Sequence, residues 1–224
     1  MVKINLSGDL PTSTNLISLA DVKNYLRVTH TADDTLITNL LTAGIEVAQN
    51  YTNRKFLQHT YDLTMETWDD VYVSNSQQVS LSDSRYIISG AYTGKDGLQQ
   101  IVLPYAPLIS VASFKYYDSA NTDTTWATSN YQVLTFENQK GFIEIKDGIT
   151  TPTLYDKANA IRIQFNCGYG ASTDTDDGGG AVPEAIKTAV LLIIGRMYEL
   201  REDSVSRLPK ASEYILDPYR IKTY

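Results

Sequence analysis

The stretch from Pro183 to Leu200 constrains the fold most, because as a helix it is apolar on nearly every side. Ile186, Val190, Ile193, Met197 and Leu200 recur at spacings of four, three, four and three. Leu191, Leu192 and Ile194 widen that stripe around the cylinder. A helix of this kind has to be covered from several directions, so it reads as the central element of a core. Pro183 suits its first position, where a missing N–H costs nothing. The longest apolar run in it, Ala189 to Ile194, is far too short to span a bilayer.

Cover is available only far away in sequence. Ser18 starts a short helix as an N-cap, with Asp21 three residues on where a carboxylate meets free N–H groups. Leu19, Val22 and Leu26 give that helix an apolar face. A longer helix runs from Asp33 or Asp34 to near Asn53, with Leu36, Leu40, Ala43, Val47 and Tyr51 as its stripe. The first fifteen residues, through Pro11-Thr12-Ser13-Thr14-Asn15, are polar and turn-rich and read as a loose arm.

Between these helices the period changes from 3.6 to 2. His59 to Trp68 alternates and is rich in Thr and aromatics. Further strands are expected at Gln99 to Leu103, Leu108 to Tyr117, Tyr131 to Phe136, Phe142 to Lys146 and Ala160 to Cys167. Turn signals at Lys95-Asp96-Gly97, Asp118 to Asp123, Lys140-Gly141 and Asp147-Gly148 separate them. Short strands at this spacing suggest an antiparallel sandwich or open barrel. Asp174 to Gly180 reads as a flexible acidic loop, and Leu208 to Tyr224 holds Pro209 and Pro218 around a short helix at Ser212 to Leu216. The expected fold is therefore α+β: a small helical bundle from N- and C-terminal helices with an inserted antiparallel β-rich lobe. Its parts are an arm at 1–15, a helical core from 16–58 and 181–207, a lobe at 59–170, an acidic loop at 171–180 and a C-terminal segment at 208–224.

Chemistry is sparse. One cysteine, Cys167, excludes an intrachain disulfide and reads as a small buried hydrophobe. His30 and His59 have no Cys, Asp or Glu at metal-ligand spacing and read as exposed loop or strand-start residues. No Gly-x-Ser-x-Gly elbow exists. Gly90 to Asp96 mimics a phosphate loop but is one residue short, with Asp96 in the magnesium-binding position. Gly168-Tyr169-Gly170 lacks the immediate helix that a dinucleotide site needs. Asp174, Asp176 and Asp177 lack the spacing of a calcium loop. No catalytic, metal or cofactor residue is expected. Charge is uneven: residues 59–180 hold seven basic and fifteen acidic side chains, against five and five before them and seven and six after. A broad basic surface for gripping nucleic acid is therefore not expected. Met1 to Leu10 has no signal-peptide pattern, which with the lone cysteine suggests synthesis in a reducing cytoplasm.

Both ends resemble a known family. Ile17-Ser18-Leu19-Ala20-Asp21-Val22 leads into Asp33-Asp34-Thr35-Leu36-Ile37, and the helix closes on Tyr51-Thr52-Asn53-Arg54. Near the C-terminus, Gly168-Tyr169-Gly170 precedes Val182-Pro183-Glu184-Ala185-Ile186-Lys187, and the tail reads Leu216-Asp217-Pro218-Tyr219-Arg220. This pattern resembles phage head–tail connector (adaptor, or head-completion) proteins. The resemblance implies a structural virion protein and not an enzyme. It would be a dodecameric ring beneath the portal, extending the DNA channel and offering a platform to stopper or tail-completion proteins. Double-stranded DNA would pass through the bore without specific binding, and no membrane would be involved. Location would be the virion neck, after synthesis in the host cytoplasm. Carried over from the family, the portal-binding residues would be Pro209, Tyr214, Ile215, Leu216, Pro218, Tyr219 and Arg220. Alternatives are another neck or tail-completion ring protein and, behind it, a carbohydrate-binding β-domain; the sixteen tyrosines could form sugar platforms, but core and protein-interface uses outweigh that.

Overall fold

The computed structural model describes residues 2–7, 16–68, 100–135, 140–169, 181–200 and 208–221. The phosphate-loop mimic at Gly90 to Asp96, the acidic loop at 171–180 and the segment 201–207 lie outside these. The fold is α+β. Two compact units form: one from residues 1–9 and 59–167, the other from 10–58 and 168–222.

The second unit is helical. Its elements are α1 (Leu19–Leu26), α2 (Asp34–Thr52), α3 (Glu184–Glu199) and α4 (Lys210–Leu216), followed by a 3-10 turn at Asp217–Tyr219. Ser18 caps α1 as its residue type requires: its Oγ accepts the Asp21 N–H at 3.1 Å and donates to the Asp21 carboxylate at 2.6 Å. Asp33 stands at the N-cap of α2 but makes no cap hydrogen bond. Its carboxylate instead accepts the Tyr198 hydroxyl of α3 at 2.6 Å, which ties two helices together.

The first and last helices share one core, as α3's composition demands. Ile186, Ala189, Val190, Ile193 and Ile194 of α3 are buried with Val22, Ile37, Leu41, Ile45, Ala48 and Leu216. On α2 the buried line is Ile37, Leu41, Gly44, Ile45, Ala48 and Thr52, one residue round from the expected stripe of Leu36, Leu40, Ala43, Val47 and Tyr51. Both lines have helical spacing. Gly44 decides between them: a Cβ there would stand 3.0 Å from Ile194 Cγ1, so the glycine is what lets α3 approach on that face.

Among its described residues the first unit holds eight strands. The larger sheet has the order β1-β2-β8-β4-β5, from β1 (Lys3–Ser7), β2 (His59–Met65), β4 (Leu108–Tyr117), β5 (Asp123–Thr125) and β8 (Ile161–Cys167). The smaller has β3 (Gln100–Val102), β7 (Phe142–Ile145) and β6 (Tyr131–Leu134) in the order β3-β7-β6. Every pairing is antiparallel. Inward residues of both sheets meet in one core: Tyr61, Leu63, Phe114, Ile161, Ile163 and Phe165 from the larger, Ile101, Tyr131, Ile143 and Ile145 from the smaller. Phe114 packs edge-on to Trp126 at 4.7 Å, and Trp68 lies 5.0 Å from Trp126 with its indole N–H donating to the Pro152 carbonyl.

Three readings of the sequence change. The opening residues are not all a loose arm, because Lys3–Ser7 pairs with β2 from Lys3↔Thr64 to Ser7↔Thr60. Ile4 packs against the strand core opposite Leu63, while Leu6 opposite Tyr61 is exposed, so the strand has no apolar alternation to stand out among polar neighbours. His59 is not exposed; it is a 9% accessible strand residue stacked 5.9 Å from Tyr61. Asp123 begins a strand rather than ending a turn, since it faces Tyr117 across the β4–β5 hairpin. His30 is exposed and Cys167 is buried, as their neighbours suggest.

Gly168, where the chain returns to the helical unit, has φ +112°, and a Cβ on it would lie 2.2 Å from the Leu57 carbonyl oxygen. That oxygen is backbone and has little freedom to yield. Gly168→Ala is expected to destabilise the protein by about 3 kcal/mol or more, read as a lower denaturation midpoint in urea.

Candidate docking surface

The C-terminal segment is built onto the end of α2. The last carbonyls of any helix lack intrahelical donors, and here the tail supplies one. Thr52 returns its own hydroxyl to the Ala48 carbonyl at 2.8 Å, while its carbonyl accepts the Ile221 N–H at 2.9 Å. Asn53 ends the helix in the left-handed region at φ 55°, a conformation asparagine tolerates better than most residues. Its side-chain amide donates to the Ile221 carbonyl at 3.1 Å. Ile221 is thus held on both sides. Tyr51 donates its hydroxyl to Asp217 at 2.6 Å, and the Arg220 guanidinium lies over its ring at 5.1 Å. Arg54 Nε donates to the Tyr219 carbonyl.

Arg54 is the unusual member. It is 4% exposed, and burial lowers its pKa. The nearby Tyr169 and Tyr219 side chains work the other way, favouring its charge. Tyr169 is 2% exposed, and burial pushes its hydroxyl pKa up. Neither Arg54 Nη1 nor the Tyr169 hydroxyl completes a well-formed hydrogen bond among the described residues.

The seven residues singled out from the sequence divide by face. Leu216 is fully buried in the helical core, and Ser212 beside it donates to the Ala189 carbonyl at 3.3 Å. Pro209, Ile215 and Tyr219 are half-buried. Tyr214, Pro218 and Arg220 are exposed, and Tyr214 is 82% accessible on a helix otherwise packed down. The segment therefore has a core to join. The residues that hold it, Tyr51 to Arg54, were missed as partners. Their one sequence signal was an Asn and an Arg just past a helix end, where αL backbone and bonds to terminal carbonyls are common.

Elsewhere, the strand unit has an open hollow of about 450 Å³ lined by Glu66, Thr67, Leu154, Tyr155, Asp156, Lys157 and Ala158. Its lysine stands 3.6 Å over the Tyr117 ring. Among the described residues, no three His, Cys, Asp or Glu side chains are grouped to hold a metal ion. No described helix is long and apolar enough to cross a membrane.

The family profile of phage gp6-like head-tail connector proteins matches residues 16–149, from the α1 approach to the hairpin after β7. The chain belongs to that family. The matched stretch includes Tyr51 to Arg54 but stops short of α3 and the tail. No curated protein matches the chain in sequence. Similar folds are found in a chain from the neck of an empty gene transfer agent particle computed with C6 symmetry, with TM-score 0.68, and in one from the native virion of such a particle, at 0.67. A third lies in the neck of the native particle computed with C12 symmetry, at 0.66. Each is 19% identical and the alignments cover 99% of this connector-family chain and 96–97% of the other. At that identity the likeness shows the shared fold, and it extends over the tail that the family profile leaves out.

Two expectations follow for this surface. Leu216→Ala should lower the unfolding free energy by about 2–5 kcal/mol, whereas Tyr214→Ala should change it by less than about 0.5 kcal/mol, both by far-ultraviolet circular dichroism in denaturant. The second concerns alkali. The Tyr51 pKa is raised chiefly by its hydrogen bond to Asp217, and that of Tyr169 by burial. The folded state therefore holds these protons more tightly than the unfolded one. Their stabilisation is complete below about pH 10 and is lost as pH rises through the folded values. Melting temperature should fall above about pH 10, with a smaller fall in Tyr51→Phe.

Proposed function

We propose that this chain is a head–tail connector subunit of a virion neck, forming a dodecameric ring beneath the portal and prolonging its DNA channel. The ring would give stopper or tail-completion proteins their platform. The observation that carries this reading is the family match over residues 16–149. It is supported by the likeness to chains in gene transfer agent necks computed with C6 and C12 symmetry.

The portal contact is assigned to the outer face of the tail. Tyr214 offers a large ring and a hydroxyl on a held helix, with Pro218 and Arg220 beside it. An aromatic anchored in this way loses little entropy when it docks, which is how hot-spot residues act. Leu216 and Tyr219 support that face from beneath. The acidic balance of residues 59–180 suits a channel through which DNA slides, since phosphate is held by Lys and Arg and not by carboxylates.

Native mass spectrometry of the chain mixed with its portal should show a stoichiometric twelve-membered complex. Tyr214→Ala, folded as above, should bind the portal roughly tenfold more weakly. A chain that never binds a portal but binds a glycan would sink this reading.

A further inference from the structure

We infer that Arg54 and Tyr169 together hold a small inorganic anion of single charge, chloride being the simplest, in the interior of the helical unit beneath the C-terminal tail. This site is separate from the docking face assigned to Tyr214 and depends on neither the ring nor the portal.

Two positions that flank helices bring the side chains together. Arg54 directly follows Asn53, the left-handed residue that closes α2, and its backbone N–H donates to the Gln49 carbonyl at 3.2 Å. Tyr169 follows Gly168, whose φ of +112° turns the chain into the helical unit, and its ring joins the core with Phe56, Leu57 and Val182. Both side chains are enclosed: Arg54 is 4% exposed and Tyr169 2%. Burial opposes charge on both, and each acts in turn on the proton affinity of the other, as hydrogen-bonding neighbours do.

Donors outnumber acceptors there. A guanidinium donates hydrogen bonds and accepts none. Arg54 Nε is used on the Tyr219 carbonyl, but Nη1 has no hydrogen-bond partner among the described residues, and neither has the Tyr169 hydroxyl. A tyrosine oxygen that faces a guanidinium receives there, so its own proton requires an acceptor elsewhere. Folded interiors leave few such groups unsatisfied, and an unmatched charge is the costliest kind.

One acceptor placed against both donors answers the shortfall. A water molecule would accept the two bonds, but it would bring protons needing acceptors of their own and would leave the charge. An anion accepts both bonds and neutralises the guanidinium, and such charge-assisted bonds are the strong ones. A single negative charge matches the single cation. Among the described residues, the side chains that act on the Arg54 charge are Tyr169 and Tyr219, not carboxylates. Because the same guanidinium donates to the Tyr219 carbonyl, the anion also steadies the tail where it meets the end of α2.

The full-length protein is crystallised from sodium bromide, and anomalous difference density is measured at the bromine edge. The expected result is a bromide peak within hydrogen-bonding distance of both Arg54 Nη1 and the Tyr169 hydroxyl. In parallel, melting temperature is followed as chloride is replaced by gluconate, a far larger anion, at constant ionic strength. Wild type should lose about 2–4 °C. Tyr169→Phe, which keeps the ring and removes one donor, should lose less, and Arg54→Met nothing; should Arg54→Met fail to fold, Tyr169→Phe carries the comparison. Solvent density without anomalous signal, or a carboxylate of the protein itself in that position, overturns the inference. A bromide peak with no chloride dependence of melting marks an adventitious ion only and overturns it too, as does an equal loss in wild type and variants, which is a general salt effect.

Discussion

Ile186, Ala189, Val190, Ile193 and Ile194 must be covered from more than one direction, and nothing adjacent in sequence can do it. Each fully buried isoleucine or valine is worth roughly 1.5–3 kcal/mol relative to exposure. That gain is available only when α1 and α2, more than a hundred residues upstream, and α4, downstream, close on α3. The ends of the chain are therefore committed to each other, and everything between Gln58 and Gly168 has to leave and return at one place. Gly168 marks the return, with a backbone conformation and a clearance from the Leu57 carbonyl that side chains other than hydrogen do not fit. The inserted strands answer with a core of their own, in which two sheets bury aromatic and branched side chains between them.

The same closure determines what the tail can offer. Asp217 to Ile221 is fastened to Tyr51 through Arg54, so two sequence motifs far apart in the chain are one structure. The fastening contains its own cost: Arg54 is desolvated, and its Nη1 has no hydrogen-bond partner among the described residues. Hydrogen bonds to the Tyr219 and Ile221 backbone, rather than the charge, do the holding. Because the inner residues Ser212 and Leu216 are pinned, Tyr214 is displayed outward on a rigid support.

Element positions were largely legible. Leu108–Tyr117 and the Ser18 cap follow from local residue chemistry, and α2 ends at the asparagine whose αL backbone closes it. Faces were less legible than positions. The buried line of α2 is displaced by one residue because a glycine admits α3, a fact about a neighbour and not about α2's own pattern. Strand β1 is illegible because one core-facing residue, Ile4, cannot establish a period. His59 escaped because a histidine near turn residues looks exposed until its strand is paired on both sides, by Lys3–Ser7 and Ile161–Cys167. In the C-terminal segment, the residue types were readable but their facing was not: Leu216 and Tyr214 sit two positions apart, one fully buried and the other exposed.

The two surfaces with most to offer another chain are both carried by segments from the chain ends, and each is held by few contacts on one side. Tyr214 projects from a short helix whose inner face is in the core, and β1 fills the open edge of β2. A protein that works by a pocket concentrates polar groups in a concavity that excludes water. Here the described hollow is open, while the exposed aromatic Tyr214 lies on a helix whose inner face is already packed. That distribution suits a member of a structural connector family.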